Sequence, residues 1–294
     1  MDAPLNRLHA EEVNAIWIVT GANSGFGRAI TEAAVAAGNI VVAAARRPEA
    51  LADLVAAHPD RIEALGLDVT DQTATATAVA DIAARYGHID VLVNNAGRSH
   101  IGAFEETSDA ELRDLFELHV FGPAAMVRAV LPHMRAQRAG AIVQVSSLLG
   151  QTSRAGFSAY SGSKFAIEGM SEALAREVRP LGIKVMIVEP GSFRTGLPGN
   201  TTLSSELSDY AGTVGGMRAV IAASDRQQPG DPARGAALIL TALDVDRTRL
   251  RLALGADAVD GILAHLDQVR DDIEAWEDAS RESAFQRCRV LQFG

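Results

Sequence analysis

Cysteine is almost missing: the 294-residue chain has one, Cys288. A single thiol forms no internal disulfide, and a reducing cytoplasm is the expected setting. No Cys/His cluster has metal-ligand spacing, so no metal site is expected. No run of 18 or more apolar residues occurs, so no membrane span is expected. Met1–Val13 is polar and carries Glu11 and Glu12. It lacks a basic stretch followed by an apolar one and does not read as a secretory signal. Lysine is scarce: of 27 basic residues, only Lys164 and Lys184 are lysine. A lysine kept among arginines points to a need for a compact point charge. The net charge of −10 makes nucleic acid or an anionic membrane a poor partner. An anionic cofactor must therefore be held by local groups.

The chain does have apolar side chain for a core, 48% of residues, which excludes disorder over most of its length. Low-complexity linkers and repeats are absent, so residues 1–294 read as one domain. Short runs apolar on both faces recur at Ala15–Thr20, Ile40–Ala45, Leu65–Asp68, Val91–Asn94, Ala141–Val145, Lys184–Glu189 and Leu250–Leu254. That is the pattern of parallel strands covered on both sides. Helical stretches lie between them: Phe26–Ala37, Pro48–Ala57, Gln72–Tyr86, Asp109–Arg138 with breaks, and Ser158–Leu181. Ser108 with Glu111 predicts a capping box for the fourth. Alternating units of this kind predict an α/β fold, a Rossmann-type doubly wound parallel sheet of about seven strands with helices on both faces.

Two regions stand apart. Gly196–Gly230 is rich in Gly, Ser and Thr with scattered apolar residues, and is expected to be a variable substrate loop acting as a lid. Residues 256–294 form a C-terminal extension. Val259, Ile262, Leu263, Leu266, Val269, Ile273 and Trp276 recur there at helical spacing, predicting an amphipathic helix whose stripe packs on its own domain.

The first strand runs into Thr20-Gly21-Ala22-Asn23-Ser24-Gly25-Phe26-Gly27. Glycines between a strand and a helix let backbone approach a pyrophosphate at the positive helix end. In this position the spacing resembles the short-chain dehydrogenase/reductase family, in its short single-domain branch. At the end of the second strand, Ala43-Ala44-Ala45 is followed by Arg46-Arg47. An acid that would repel a ribose 2′-phosphate is missing, and guanidinium groups bind phosphate bidentately. NADP(H) is therefore expected over NAD(H), with Arg46 nearest the phosphate, Asn23 or Ser24 assisting, and Arg47 alongside.

Tyr160 and Lys164 stand four apart near the start of a helix and so share one face. A nearby ammonium is expected to lower the phenol's pKa toward use as an acid or base near neutrality. The resemblance implies further roles. It assigns Ser147, thirteen residues upstream, as the catalytic hydroxyl that stabilises the substrate oxygen. It puts Asp68 and Val69 beside the adenine and runs Asn95, Ala96 and Gly97 past the cofactor. It gives Pro190, Gly191, Phe193 and Thr195 to the nicotinamide loop. Where the family usually has a relay Asn, this chain has His119, so the relay could run through His119, be altered, or be absent.

The expected activity is NADP(H)-dependent interconversion of a carbonyl and a secondary alcohol, with Tyr160 as general acid/base. The alternatives are an epimerase or dehydratase of the same superfamily, or an NADP-binding sensor or scaffold. Substrate choice is expected to lie in the 196–230 loop with Arg98, His100, Leu148, Leu149 and Phe157, for an apolar small molecule. The Ser158–Leu181 helix carries more apolar surface than one sheet face covers, so a homodimer is expected. A tetramer is the alternative, which the tail would block by folding over its own subunit.

Overall fold

A computed structural model describes residues 14–224, 227–245 and 248–283; Cys288 lies outside the described residues. Nine strands occur among them: β1 Ile16–Thr20, β2 Ile40–Ala45, β3 Ile62–Gly66, β4 Val91–Asn94, β5 Ser99–Ile101, β6 Gly140–Val145, β7 Ile183–Pro190, β8 Thr201–Leu203 and β9 Arg251–Leu254. Seven form one parallel sheet in the order β3-β2-β1-β4-β6-β7-β9. The order reverses between β1 and β4, and in open parallel sheets ligands bind outside the carboxyl ends of the strands at such a point.

The helices are α1 Gly25–Ala36, α2 Ala52–Ala57, α3 Gln72–Tyr86, α4 Asp109–Phe116, α5 Gly122–Gln137, α6 Ser158–Val178, α7 Gly216–Ala223, α8 Pro232–Asp244, α9 Ala256–Glu274 and α10 Glu277–Glu282. Side chains alternate across a strand, so β1 sends Trp17 and Val19 to one face and Ile16 and Ile18 to the other. The first face packs with Ile30 of α1 and Ile239 and Leu243 of α8. The second packs with Val79 and Ile82 of α3 and Met126, Val130 and Met134 of α5. Two apolar layers thus clamp the sheet, as the doubly apolar runs required.

Ser108 forms the expected capping box with Glu111. The helical stretch read at Asp109–Arg138 is interrupted once: α4 passes through one wide π turn, Glu117–Phe121, before α5. His119 sits in that turn, a distortion that often marks functional positions. By length and composition alone Asp109–Gln137 could cross a membrane, but its α5 part packs in the core on one face of the sheet through Met126, Val130 and Met134.

Three expectations are corrected. The third strand begins three residues earlier than read and ends at Gly66. It lies at the sheet edge with only Ile62 fully buried, so it lacks the continuous apolar run that marked the inner strands. The 196–230 segment is not a bare loop: β8 pairs in parallel with β5, and α7 follows. Arg218 of α7 ties this segment down, donating to Glu106 Oε2 at 2.9 Å and Ser204 O at 3.1 Å. Finally, α9 is helical as expected, but only Ala258 and Ile262 of it are buried. Val259, Leu263, Leu266, Val269, Ile273 and Trp276 are all exposed. Among the described residues, Ala258 and Ile262 pack with Leu148 and the rest of the stripe is uncovered.

Candidate active site

Three segments meet at the carboxyl ends of the central strands, and hydrogen bonds between β1 and β4 lock them. Thr20 Oγ1 donates to Val93 O at 3.2 Å and accepts from Asn95 N at 2.9 Å and Ala96 N at 3.1 Å. Asn95 Nδ2 donates back to Thr20 O at 2.9 Å and Gly21 O at 3.2 Å. The Gly-rich turn is held close: Gly21 and Gly25 have φ of 64° and 55°, a region that favours glycine. A Cβ on Gly27 would run into Gly21 O and Asn95 Nδ2. Ser24 caps α1 with no side-chain hydrogen bond, and the first turn carries no acid. The first-turn N–H groups of α1 therefore lack a side-chain cap and the macrodipole is unopposed, which suits an anion.

A cavity of about 570 Å³ runs from this turn to the catalytic end. Every expected cofactor and catalytic residue lines it except Gly27, whose part is to let the turn pack on Asn95. Arg46 and Arg47 stand at one end with Asp68 and Val69. The Thr70 backbone N–H holds the Asp68 carboxyl below its usual range, and the Arg46 charge adds to this. A long anionic dinucleotide fits such a lining: an uncapped helix N-terminus mid-way and two guanidinium groups at one end. Phe193 is half-buried against Phe26, with ring centroids 4.8 Å apart, and so braces the loop that ends at Thr195.

Ser147, His119, Tyr160 and Lys164 meet at the other end. Lys164 Nζ donates to Val145 O at 2.9 Å, at the end of β6. Burial pulls its pKa down to about 8, opposed by the Glu168 charge. Tyr160 reverses the expectation. Burial pushes its phenol above the ordinary value, while the hydrogen bond with Ser147 pulls it back. Lys164 Nζ lies 5.8 Å from the Tyr160 ring centroid and is aimed at the Val145 carbonyl, so in the cofactor-free protein desolvation outweighs its field.

His119 is buried with both ring nitrogens engaged. Nε2 accepts from Arg98 N at 3.2 Å, and Nδ1 lies 2.9 Å from Ser163 Oγ. Ser163 Oγ donates to Tyr160 O at 2.7 Å, so it accepts from His119 Nδ1–H. Burial and the charges of Lys164 and Arg98 hold the imidazole well below its ordinary range. It is neutral, and its ring stands edge-on to Tyr160 at 5.6 Å. Of the alternatives for the relay, a titrating His119 is the one this geometry disfavours. His100, expected beside the substrate, is not on the cavity. It is buried behind it, with Nδ1 2.9 Å from Thr202 Oγ1 and Nε2 3.1 Å from Ser204 Oγ, where it binds the substrate segment to the body. Arg98, Leu148, Leu149 and Phe157 do line the cavity.

Sequence reasoning missed a buried acid pair beneath Lys164. Glu168, one turn further along α6, and Glu189 of β7 are 4% and 2% exposed. Gln151 Nε2 donates to both, at 3.2 and 2.9 Å, and Arg251 Nε stands 3.4 and 3.3 Å from them. The i,i+4 spacing of Lys164 and Glu168 was a signal available in the sequence. Burial raises the Glu168 pKa from 4.5 to about 7. The folded protein then keeps a proton that the unfolded chain releases, so stability is lost as pH rises from 4.5 to about 7. Glu168→Gln removes that loss. Its melting temperature relative to the parent should rise between about pH 5 and about pH 8; a difference independent of pH would contradict the assignment.

Comparisons with known proteins agree with this geometry. A family profile described as short chain dehydrogenase matches residues 15–205. Oxidoreductase BOA17 of Botryotinia fuckeliana is 36% identical over 271 residues, covering 92% of this chain and 99% of that protein. A solved short-chain dehydrogenase from Streptomyces avermitilis is 58% identical with a TM-score of 0.89, over 94% of this chain and 100% of that one. A metagenomic short-chain oxidoreductase solved with NADP is 27% identical with a TM-score of 0.64, over 82% of this chain and 97% of that one. The chain is an oxidoreductase of the kind that uses a nicotinamide cofactor, and it belongs to the short-chain dehydrogenase/reductase family.

Proposed function

We propose that the chain is an NADP(H)-preferring reductase that interconverts a carbonyl and a secondary alcohol, with Tyr160 as the acid/base. The observation that carries the reading is one continuous cavity. It joins two guanidinium groups, an uncapped helix N-terminus, and a serine, tyrosine and lysine at its far end. A bound nicotinamide dinucleotide would supply the hydride. Ser147 Oγ accepts from Leu149 N at 3.1 Å and bonds the Tyr160 phenol; a bound carbonyl would take the serine hydroxyl hydrogen in its place, stabilising the substrate oxygen as charge builds there. Tyr160 holds its proton at neutral pH, because burial raises its pKa, and gives it to that oxygen. The Lys164 ammonium then stabilises the phenolate left behind. A stored phenol proton favours the reductive direction. His119 is a positioning residue in this scheme: through Ser163 it fixes the first turn of α6, which carries Tyr160 and Lys164.

Localisation in the cytoplasm accords with the single cysteine. The apolar lining from Leu148, Leu149, Phe157, Met217 and Ile221 suits an apolar substrate body. Phe165 and Met170 on α6 are exposed, and their burial against a second copy would make a homodimer. Light scattering during gel filtration should give about twice the 31.0 kDa chain mass; a monomer at micromolar concentration would contradict the pairing.

Tyr160→Phe should lower carbonyl-dependent NADPH oxidation by roughly 10²- to 10⁴-fold while NADPH binding persists. Near-normal turnover in that variant overturns the assignment. Arg46→Ala should weaken NADPH by roughly 10- to 100-fold and leave NADH nearly unchanged. A parent protein that binds NADH as tightly as NADPH would refute the cofactor preference.

A further inference from the structure

The charged groups along the cavity are not equally satisfied. Arg98 pairs with Asp114. Lys164 has the Val145 carbonyl and the Glu168 charge. Arg46 faces Asp68, the one carboxylate on the lining. The exposed Arg47, at the opposite end, and the exposed Arg154 also line the cavity, and among the described residues no carboxylate holds either guanidinium. Arg154 is the one at the catalytic end.

Its backbone, by contrast, is fixed. Arg154 O accepts from Phe157 N at 3.1 Å, and Gly156 O accepts from Gly102 N at 2.9 Å. Gly156 has φ 87°, and a Cβ there would stand 3.0 Å from Val214 Cγ1. Phe157 meets the Tyr160 ring edge-on at 6.3 Å. Arg154 therefore sits three residues from a ring that touches the proton donor, on a turn with little freedom.

A second observation points the same way from another wall. Gln228 lines the cavity and is 7% exposed. Its side-chain Nε2 and Oε1 both lack a hydrogen-bond partner. A buried amide left unpaired is unfavourable by the desolvation of its polar atoms. Its backbone is held too, since Gln228 O accepts from Arg194 Nε at 3.2 Å and Nη2 at 3.0 Å. Leu149, Phe157, Met217 and Ile221 line the same cavity. The cavity thus combines an apolar lining with an exposed, unpaired cation and a buried, unpaired amide, and Asp68 near Arg46 is the one acid among its lining residues.

We propose that the substrate is an oxo acid: an apolar carbonyl compound whose far end bears a carboxylate, taken by the Arg154 guanidinium with the Gln228 amide donating a further hydrogen bond. The proposal rests on the carbonyl-reductase reading. Arg154 supplies the charge-assisted contact, Gln228 orients, and the apolar wall sets the distance between carboxylate and carbonyl.

The test uses full-length protein with NADPH and a series of methyl ketones of graded chain length, each with a terminal carboxylate or as its methyl ester. Turnover is followed by NADPH oxidation and binding by calorimetry. The acid should exceed its ester in kcat/KM by roughly 10- to 100-fold at the best chain length. Arg154→Ala should erase that preference by acting on the acid alone, and Arg154→Lys should restore part of it. Gln228→Leu should raise KM for the acid with little change for the ester. Equal use of acid and ester, an acid preference that survives Arg154→Ala, or no acid-selective binding anywhere in the series each overturns the proposal. Acid-selective binding without turnover overturns the reductase reading and leaves Arg154 as the anion site.

Discussion

Lys164 carries an ammonium to a position 7% exposed, and much of the site is arranged to keep it there. A charge out of water is destabilising unless it is met by dipoles or an opposite charge. The carbonyl at the end of β6 meets it directly. Glu168, one turn along the same helix, meets it at longer range. Gln151 from a turn and Arg251 from β9 hold Glu168, and the same two groups hold Glu189 of β7. One buried charge thus draws on the far edge of the sheet as well as its centre, and an arginine cannot replace it in so small a space.

The second constraint is the close approach of β1 and β4. Asn95 donates to Thr20 twice, from its backbone to the threonine side chain and from its side chain to the threonine backbone, and Gly27 lets the turn lie against them. The helix that follows keeps the N–H groups of its first turn free of any side-chain cap. An anion bound at this point would be held by packing and backbone rather than by basic side chains, which suits a chain of net charge −10.

Strands with two covered faces were readable because their apolar runs are continuous. The Gly-rich turn after β1, the capping box at Ser108 and the placing of Tyr160 and Lys164 on one helix were readable because each rests on spacing within a few residues. What escaped depends on distance or depth. The β5–β8 pairing joins residues about a hundred positions apart. His100 looked like a substrate residue because it follows the cofactor segment, but strand alternation turns it away from the cavity. β3 was shifted because an edge strand has one covered face. The direction of the Tyr160 shift was misread because charge proximity is visible in a sequence and desolvation is not. The same blindness hid the acid pair at Glu168 and Glu189, and made the α9 stripe read as packed when it is exposed.

The proposed role of Tyr160, storing a proton until a carbonyl arrives, can be measured directly. The chain has three tyrosines, and Tyr86, Tyr160 and Tyr210 are all shifted above their ordinary value of 10. An ultraviolet titration of the cofactor-free protein should show no tyrosinate below about pH 10. One equivalent ionising near neutral pH in the parent, and missing in Tyr160→Phe, would show that the Lys164 charge prevails over burial and would contradict the stored-proton scheme.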